Sequence, residues 1–232
     1  MSSFRSTARA EGERNRRAYS GAETGGTSST FPDLDVSWTG LHAVGPLKGR
    51  VASSTVRSAF RVTEGTSGRY EGLTFVRDGE TRREDFSPRL SVTLTLKNGL
   101  TVTLGDNYSR DEREDLLQAE STTRTSTSHR SNLAVQYAFS APQGLTLPVL
   151  GMMRFKSDLR LTLDVSRERR LERTGPATPT TDSSSWSVRP GASYDFGVVD
   201  SGLEIEVSQS SNYKLNQTRR EIGLRVWVNF PF

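Results

Sequence analysis

Apolar side chains recur at every second position in one segment of the chain after another. In the last eleven residues Ile222, Leu224, Val226, Val228, Phe230 and Phe232 share one phase, while Gly223, Arg225, Trp227 and Asn229 share the other. A period of two is the side-chain period of a β-strand, so each phase is one face of a sheet. The same alternation sets Leu203, Ile205 and Val207 against Glu204, Glu206 and Ser208, and sets Phe155, Leu159, Leu161, Leu163 and Val165 against Lys156, Asp158, Arg160, Thr162 and Asp164. Trp186, Val188, Ala192, Tyr194 and Phe196 share a phase, as do Leu133, Val135, Tyr137 and Phe139. Leu90 to Leu96, Leu100 to Leu104, Val51 to Thr63 and Leu34 to Leu41 complete a set of about nine predicted strands.

Phase also predicts register. Matching apolar faces across a turn near Leu215 and Asn216 sets Val207 opposite Leu224 and Ile205 opposite Val226, which places Glu206 opposite Arg225. At Lys97-Asn98-Gly99 a two-residue turn would set leucines opposite threonines. A three-residue loop with Gly99 left-handed keeps Leu96 opposite Leu100, so that loop is expected. The connections alternate between short ones at 42–47, 97–99, 140–149 and 198–202 and longer polar ones near 65–86, 108–121, 168–183 and 209–218.

Charged residues at three consecutive positions of one face, Lys156, Asp158 and Arg160, make a packed soluble interior on that side implausible. Lipid on one face and a wet lumen on the other would demand the arrangement, with short turns at one end and long loops at the other. The expected fold is therefore all-β, an antiparallel up-and-down wall of a transmembrane β-barrel in the bacterial outer membrane. Tyr137, Phe139, Tyr194, Phe196, Phe230 and Phe232 end strands on the short-turn side and would form an interfacial girdle. The rival soluble sandwich would bury the Leu/Val face against a second sheet.

Composition sharpens this picture. The chain is 33% hydrophobic and 25% charged with a mean hydropathy of −0.57, and it holds no run near 18 apolar residues. A one-sided apolar belt gives such an average, and a transmembrane helix does not. Its 31 basic residues are interspersed with 27 acidic ones, which points to solvated surface or lumen lining and away from a nucleic-acid patch. There is no cysteine, so thiolate chemistry, disulfides and cysteine-held metals are excluded. Residues 1–30, with Arg5, Arg9, Arg14, Arg16 and Arg17 among Ser, Gly and Thr, lack an apolar signal core. They are expected to form a polar basic loop or a disordered segment, followed by a barrel segment over 31–232 whose upstream portion is missing.

Candidate chemistry is sparse. His42 and His129 are the only physiological-pH bases. His129 lies in Ser128-His129-Arg130-Ser131-Asn132, but in a strand Ser128 and Arg130 point away from it, and Ser131 is two residues along. His42 falls in a predicted turn. Asp111-Glu112-Arg113-Glu114-Asp115 reads as a charged outer loop without the calcium-loop pattern, and Gly21 to Gly26 lacks the Gly-Lys-Ser/Thr ending of a phosphate loop. No enzyme, catalytic residue, cofactor or metal is expected. Arg167-Glu168-Arg169-Arg170 and Arg219-Arg220 fall at predicted loop mouths, with two readings open: contact with lipopolysaccharide phosphates, or solvated loop charge.

One segment resembles a known family. Phe31-Pro-Asp-Leu-Asp-Val-Ser-Trp-Thr-Gly-Leu41, followed by Pro46-Leu-Lys and a long Ser/Thr/Arg strand through Phe60, is similar to the late part of the SprA/Sov family. These are very large outer-membrane proteins of gliding motility and type 9 secretion. The resemblance is best over residues 31 to 62 and implies a terminal piece of a protein-export barrel. It further implies secretion subunits as partners and recognition of the strand ending in Phe232 by the barrel-assembly machinery. The alternative is a self-contained small outer-membrane barrel, porin-like, adhesive or a lipase/protease-type enzyme.

Overall fold

The computed structural model describes residues 3–19, 22–40, 48–117, 122–147, 151–176, 179–195 and 199–230. They form one sheet of ten strands: β1 (Ser3–Tyr19), β2 (Ala22–Thr39), β3 (Val51–Glu71), β4 (Thr74–Leu96), β5 (Thr101–Asp115), β6 (Thr122–Leu147), β7 (Gly151–Thr174), β8 (Thr181–Asp195), β9 (Asp200–Asn212) and β10 (Gln217–Asn229). Every strand pairs antiparallel with its sequence neighbours, in the order β1 to β10. Among the described residues the sheet is not closed, so β1 and β10 each have a neighbour on one side only. Among the described residues there is no helix long and apolar enough to cross a membrane.

Side-chain phase accounts for the registers. Phe4, Trp38, Val56, Val92, Leu104, Leu133, Val165, Val188, Val207 and Ile222 are paired in succession, an unbroken apolar row through all ten strands. Below it, toward the Leu96–Thr101 turn, Val135 lies between Val102 and Leu163, and Tyr137 pairs with Leu161. A slip of one residue would turn each of these side chains to the polar face, which is why the register is specified so strongly here.

Among the described residues nothing packs on that apolar face. Val51 and Val62 are the only buried apolar residues among those described, and Leu104, Leu161 and Leu203 remain 40–43% exposed within the sheet. A second sheet, as a soluble sandwich requires, is absent among the described residues.

The Lys97–Gly99 loop is as expected. Gly99 has φ +87° and donates its amide to Leu96 O at 3.0 Å, while Leu96 N donates to Leu100 O at 2.7 Å. The left-handed residue lets three residues close the hairpin without disturbing the apolar face.

Three expectations are corrected. Residues 3–19 and 22–30 are not loop: Ser3–Tyr19 is a tenth strand, paired with Ala22–Thr39. The long polar loops are mostly strand as well. β3 and β4 continue to a two-residue turn at Gly72-Leu73, and Asp111–Asp115 lies inside β5. Their backbone groups are satisfied by the ladder whatever the side chains are, and Thr/Thr and charge pairs stabilise the neighbours. Thr27–Thr66 Oγ1 atoms are 2.7 Å apart and Thr30–Thr63 3.3 Å.

The last hairpin also differs by two residues. Leu224 pairs with Ile205 and Val226 with Leu203, so Arg225 faces Glu204 and not Glu206. The face is the expected one; the turn, Tyr213 to Asn216 with Asn216 at φ +50°, is tighter than periodicity alone could specify. His42, the 42–47 connection, Phe196 and Phe232 lie outside the described residues.

Candidate functional site

The apolar face is bounded at two levels by aromatic residues. Above the apolar row, Phe60, Phe86, Tyr108 and His129 sit on successive strands with ring centroids 4.2, 6.1 and 6.5 Å apart. Trp186 takes the upper position on β8. Below the row, Tyr137 and Phe139 stack at 5.6 Å, Leu159 is paired with both Phe139 and Tyr194, and Phe230 continues the apolar phase of β10. On β8 the upper Trp186 and lower Tyr194 are eight residues apart, about 26 Å along the strand at 3.3 Å per residue.

The belt crosses the strands obliquely. On β2 the apolar side chains lie at and above the common row (Trp38, Val36, Leu34), whereas on β10 they lie at and below it (Ile222 to Phe230). Its centre drifts by about six residues over eight strand spacings, which corresponds to a strand tilt of roughly 25–30° for a level belt. Barrel strands in membranes tilt by roughly 35–45°, the same order.

The opposite face is mainly polar, with Trp227 its one large apolar side chain on β10. Arg57 is paired with Asp35, Arg61 with Asp33 at 3.0 Å, Arg189 with Glu206 at 3.7 Å and Arg225 with Glu204 at 3.8 Å, all across neighbouring strands. Arg5 and Arg9 join the first two pairs around a groove of about 550 Å³. A larger one, about 880 Å³, lies toward the upper ends of β7 to β10 and is lined mainly by serines with Glu168 and Arg170. These side chains are half-exposed, so each pair contributes on the order of 0–1 kcal/mol and serves mainly to keep charge balanced along the face.

Where belt meets polar crown, one carboxylate gathers its neighbours. Asp106 Oδ1 accepts from His129 Nε2 at 2.7 Å and from Ser131 Oγ at 2.8 Å, and Arg89 Nε lies 2.5 Å from Oδ2. Sequence reasoning placed His129 and Ser131 on one face but missed Asp106, which the β5–β6 register brings opposite Ser131. The alternation that hid it is the one that should have flagged it, because Asp106 is the first charged residue in the apolar phase of Val102 and Leu104. Among the described residues no hydrogen bond joins Ser131 to His129. Both are donors to Asp106, an arrangement that anchors a boundary carboxylate and does not place a base against a nucleophile.

At and above the aromatic level the apolar-side face becomes charged, with opposite signs at its two ends. On β3 to β5 it presents Glu64, Glu80, Glu84, Glu112 and Glu114 with Arg82 and Arg110. Arg82 bridges Glu84 at 3.0 Å and Glu64 at 3.7 Å, and Arg110 is paired with Glu112. On β7 to β10 it presents Arg167, Arg169, Arg173 and Arg220 with Asp182. The two basic clusters of the sequence are thereby sorted: Glu168, Arg170 and Arg219 point to the opposite face, with Arg170 bonded to Glu168 and Arg219 to Glu221. Among the described residues no group of three His, Asp or Glu could hold a metal ion.

Neither any described protein family nor any characterised protein gives a significant match to this sequence.

Proposed function

We propose that this chain is a wall segment of an outer-membrane β-barrel, with the belted face in lipid and the polar face lining an aqueous lumen. The observation that carries the reading is the apolar row through all ten strands, left uncovered on its outer side and edged above and below by aromatic rings. In water each large side chain kept exposed forgoes about 1.5–3 kcal/mol of burial. In a bilayer the same row is solvated, and a band of roughly 25 Å between aromatic girdles is what an outer-membrane wall presents. A lumen lined by paired arginines and carboxylates is a transport surface and carries no chemistry of its own. The Phe31–Leu41 segment favours a piece of a protein-export barrel of the type 9 secretion and gliding-motility kind, acting with other secretion subunits.

A second reading is favoured by the strand count. Ten is even, so β1 and β10 run antiparallel and can pair with each other in a self-contained small barrel. In either case a free strand edge in hydrocarbon costs several kcal/mol per unsatisfied group and must be covered.

Flotation with phosphatidylcholine vesicles after dilution from urea tests the membrane setting, and a chain that stays monomeric and soluble without detergent or lipid would sink it. Amide exchange on the inserted chain separates the two readings. A closed ring is expected to protect β1 and β10 as well as β5, whereas a wall awaiting further strands leaves these two exchanging rapidly.

A further inference from the structure

We infer that the basic part of the crown on β7 to β10 is a binding site for phosphate-bearing headgroups of the surrounding lipid; the inference rests on the membrane reading above. Arg167 lies in one lateral row with Trp186, Gln209 and Arg220. Arg169 and Arg173 follow on the same face of β7. Three strand spacings separate Arg167 from Arg220, about 14 Å, and Arg173 stands about 20 Å above Arg167, so the patch spans the width of a headgroup and not of a single free ion.

Three features favour phosphate over an internal role. Asp182 is the only carboxylate on this part of the face among the described residues, and it engages Arg169 at 3.5 Å. Arg167 and Arg173 have no carboxylate within 4 Å among the described residues, and Arg220 donates to the neutral Gln209 at 2.9 Å. Ser184, Ser211 and Thr218 lie beside them as further hydroxyl donors. A planar guanidinium presents parallel N–H donors that match a phosphate monoester, and Trp186 in the same row marks the depth at which headgroups sit. The acidic crown on β3 to β5 is the internal control, standing beyond the aromatic level on the same face with the opposite sign.

The test is vesicle flotation of the full chain, followed by titration with lipid A, a diphosphorylated glycolipid, at increasing mole fraction in phosphatidylcholine. The triple variant R167Q/R169Q/R220Q is expected to lose roughly tenfold or more in its preference for lipid A. The variant E80Q/E112Q/E114Q is expected to leave it unchanged, and inorganic phosphate at millimolar levels is expected not to compete. Equal preference in the arginine variant, or saturation by inorganic phosphate alone, overturns the inference. A wild-type chain that inserts into phosphatidylcholine but ignores lipid A overturns it while leaving the membrane reading intact, and failure to insert at all defeats both.

Discussion

Below and above the aromatic level, the same strands carry opposite chemistry on one face. β7 runs from Leu159, Leu161, Leu163 and Val165 to Arg167, Arg169 and Arg173 without any break in its pairing to β6. β4 and β5 make the same change, from Val92 and Leu104 to Arg82 and Glu112, across a bulge in β4 between Phe86 and Leu90. The difference teaches that the backbone ladder is indifferent to side-chain polarity, since its N–H and C=O groups are satisfied in both halves. What changes is the medium each half calls for. Alternation is a record of that medium, and only secondarily a record of the strand.

The sharpest way to break the comparison is a charge at the middle of the belt. Leu163 lies between Val135 and Pro190, at mid-belt, and its neighbour Thr162 faces the polar side. On the proposed membrane reading, Leu163→Arg is expected to cost about 2–4 kcal/mol in vesicle-reconstituted unfolding, because the guanidinium would have to enter hydrocarbon. Thr162→Arg, one residue away, is expected to stay within about 0.5 kcal/mol, as does Ser184→Arg in the crown. Equal costs for Leu163→Arg and Thr162→Arg in urea titrations would show that the two faces see the same solvent.

The turns at the two ends sharpen the comparison from another side. Gly99 closes the hairpin beside the belt and Gly72 closes one at the top of the crown, at φ +87° and +66°. An added Cβ at Gly72 meets nothing within 4 Å, and one at Gly99 meets only Ala138 O at 3.6 Å. The penalty at both is therefore conformational, and alanine at either position is expected to cost about 1 kcal/mol. A much larger loss at Gly99 alone, measured as the shift in urea midpoint, would mean that the belt hairpin tolerates distortion less than the crown does.

The lower half of this fold was legible in the sequence, and the upper half was not. Val102 and Leu104, Leu159 to Val165, and Leu203 to Val207 declared their strands because one face had to be apolar. Nothing in Thr122 to Arg130 or Arg167 to Arg173 signals a strand by that criterion, so polar strands read as loops. The clue was present in another form. Threonine and serine runs are β-compatible, and charges of opposite sign two residues apart, as in Arg82/Glu84 and Arg110/Glu112, share a face and pair along it. Residues 3–19 were missed for the same reason, since Phe4, Ala8 and Ala10 are the only apolar members of their phase between Ser3 and Gly12. The Asp106 hub needed the β5–β6 register, which local sequence does not supply. The basic crown was half visible: Arg167, Arg169 and Arg220 could be named as exposed arginines, but only the pairing shows that they share a face while Arg170 and Arg219 do not.

The smallest expected effect bears on where periodicity stops and turn geometry takes over. Matching of apolar faces allows Arg225 to meet either Glu204 or Glu206, because both belong to the polar phase and differ by one side-chain repeat. The four-residue turn chooses Glu204, leaving Glu206 to Arg189. A double-mutant cycle on Arg225 and Glu204 is therefore expected to show a coupling of about 0.2–1 kcal/mol, weakened by salt because the arginine is largely exposed. The same cycle on Arg225 and Glu206 is expected to give a coupling near zero. If the larger coupling fell on Glu206, the last strand would be shifted by two residues. Its belt side chains would stay on the apolar face, but its crown residues would stand about 7 Å out of line, taking Arg220 away from Trp186 and Gln209.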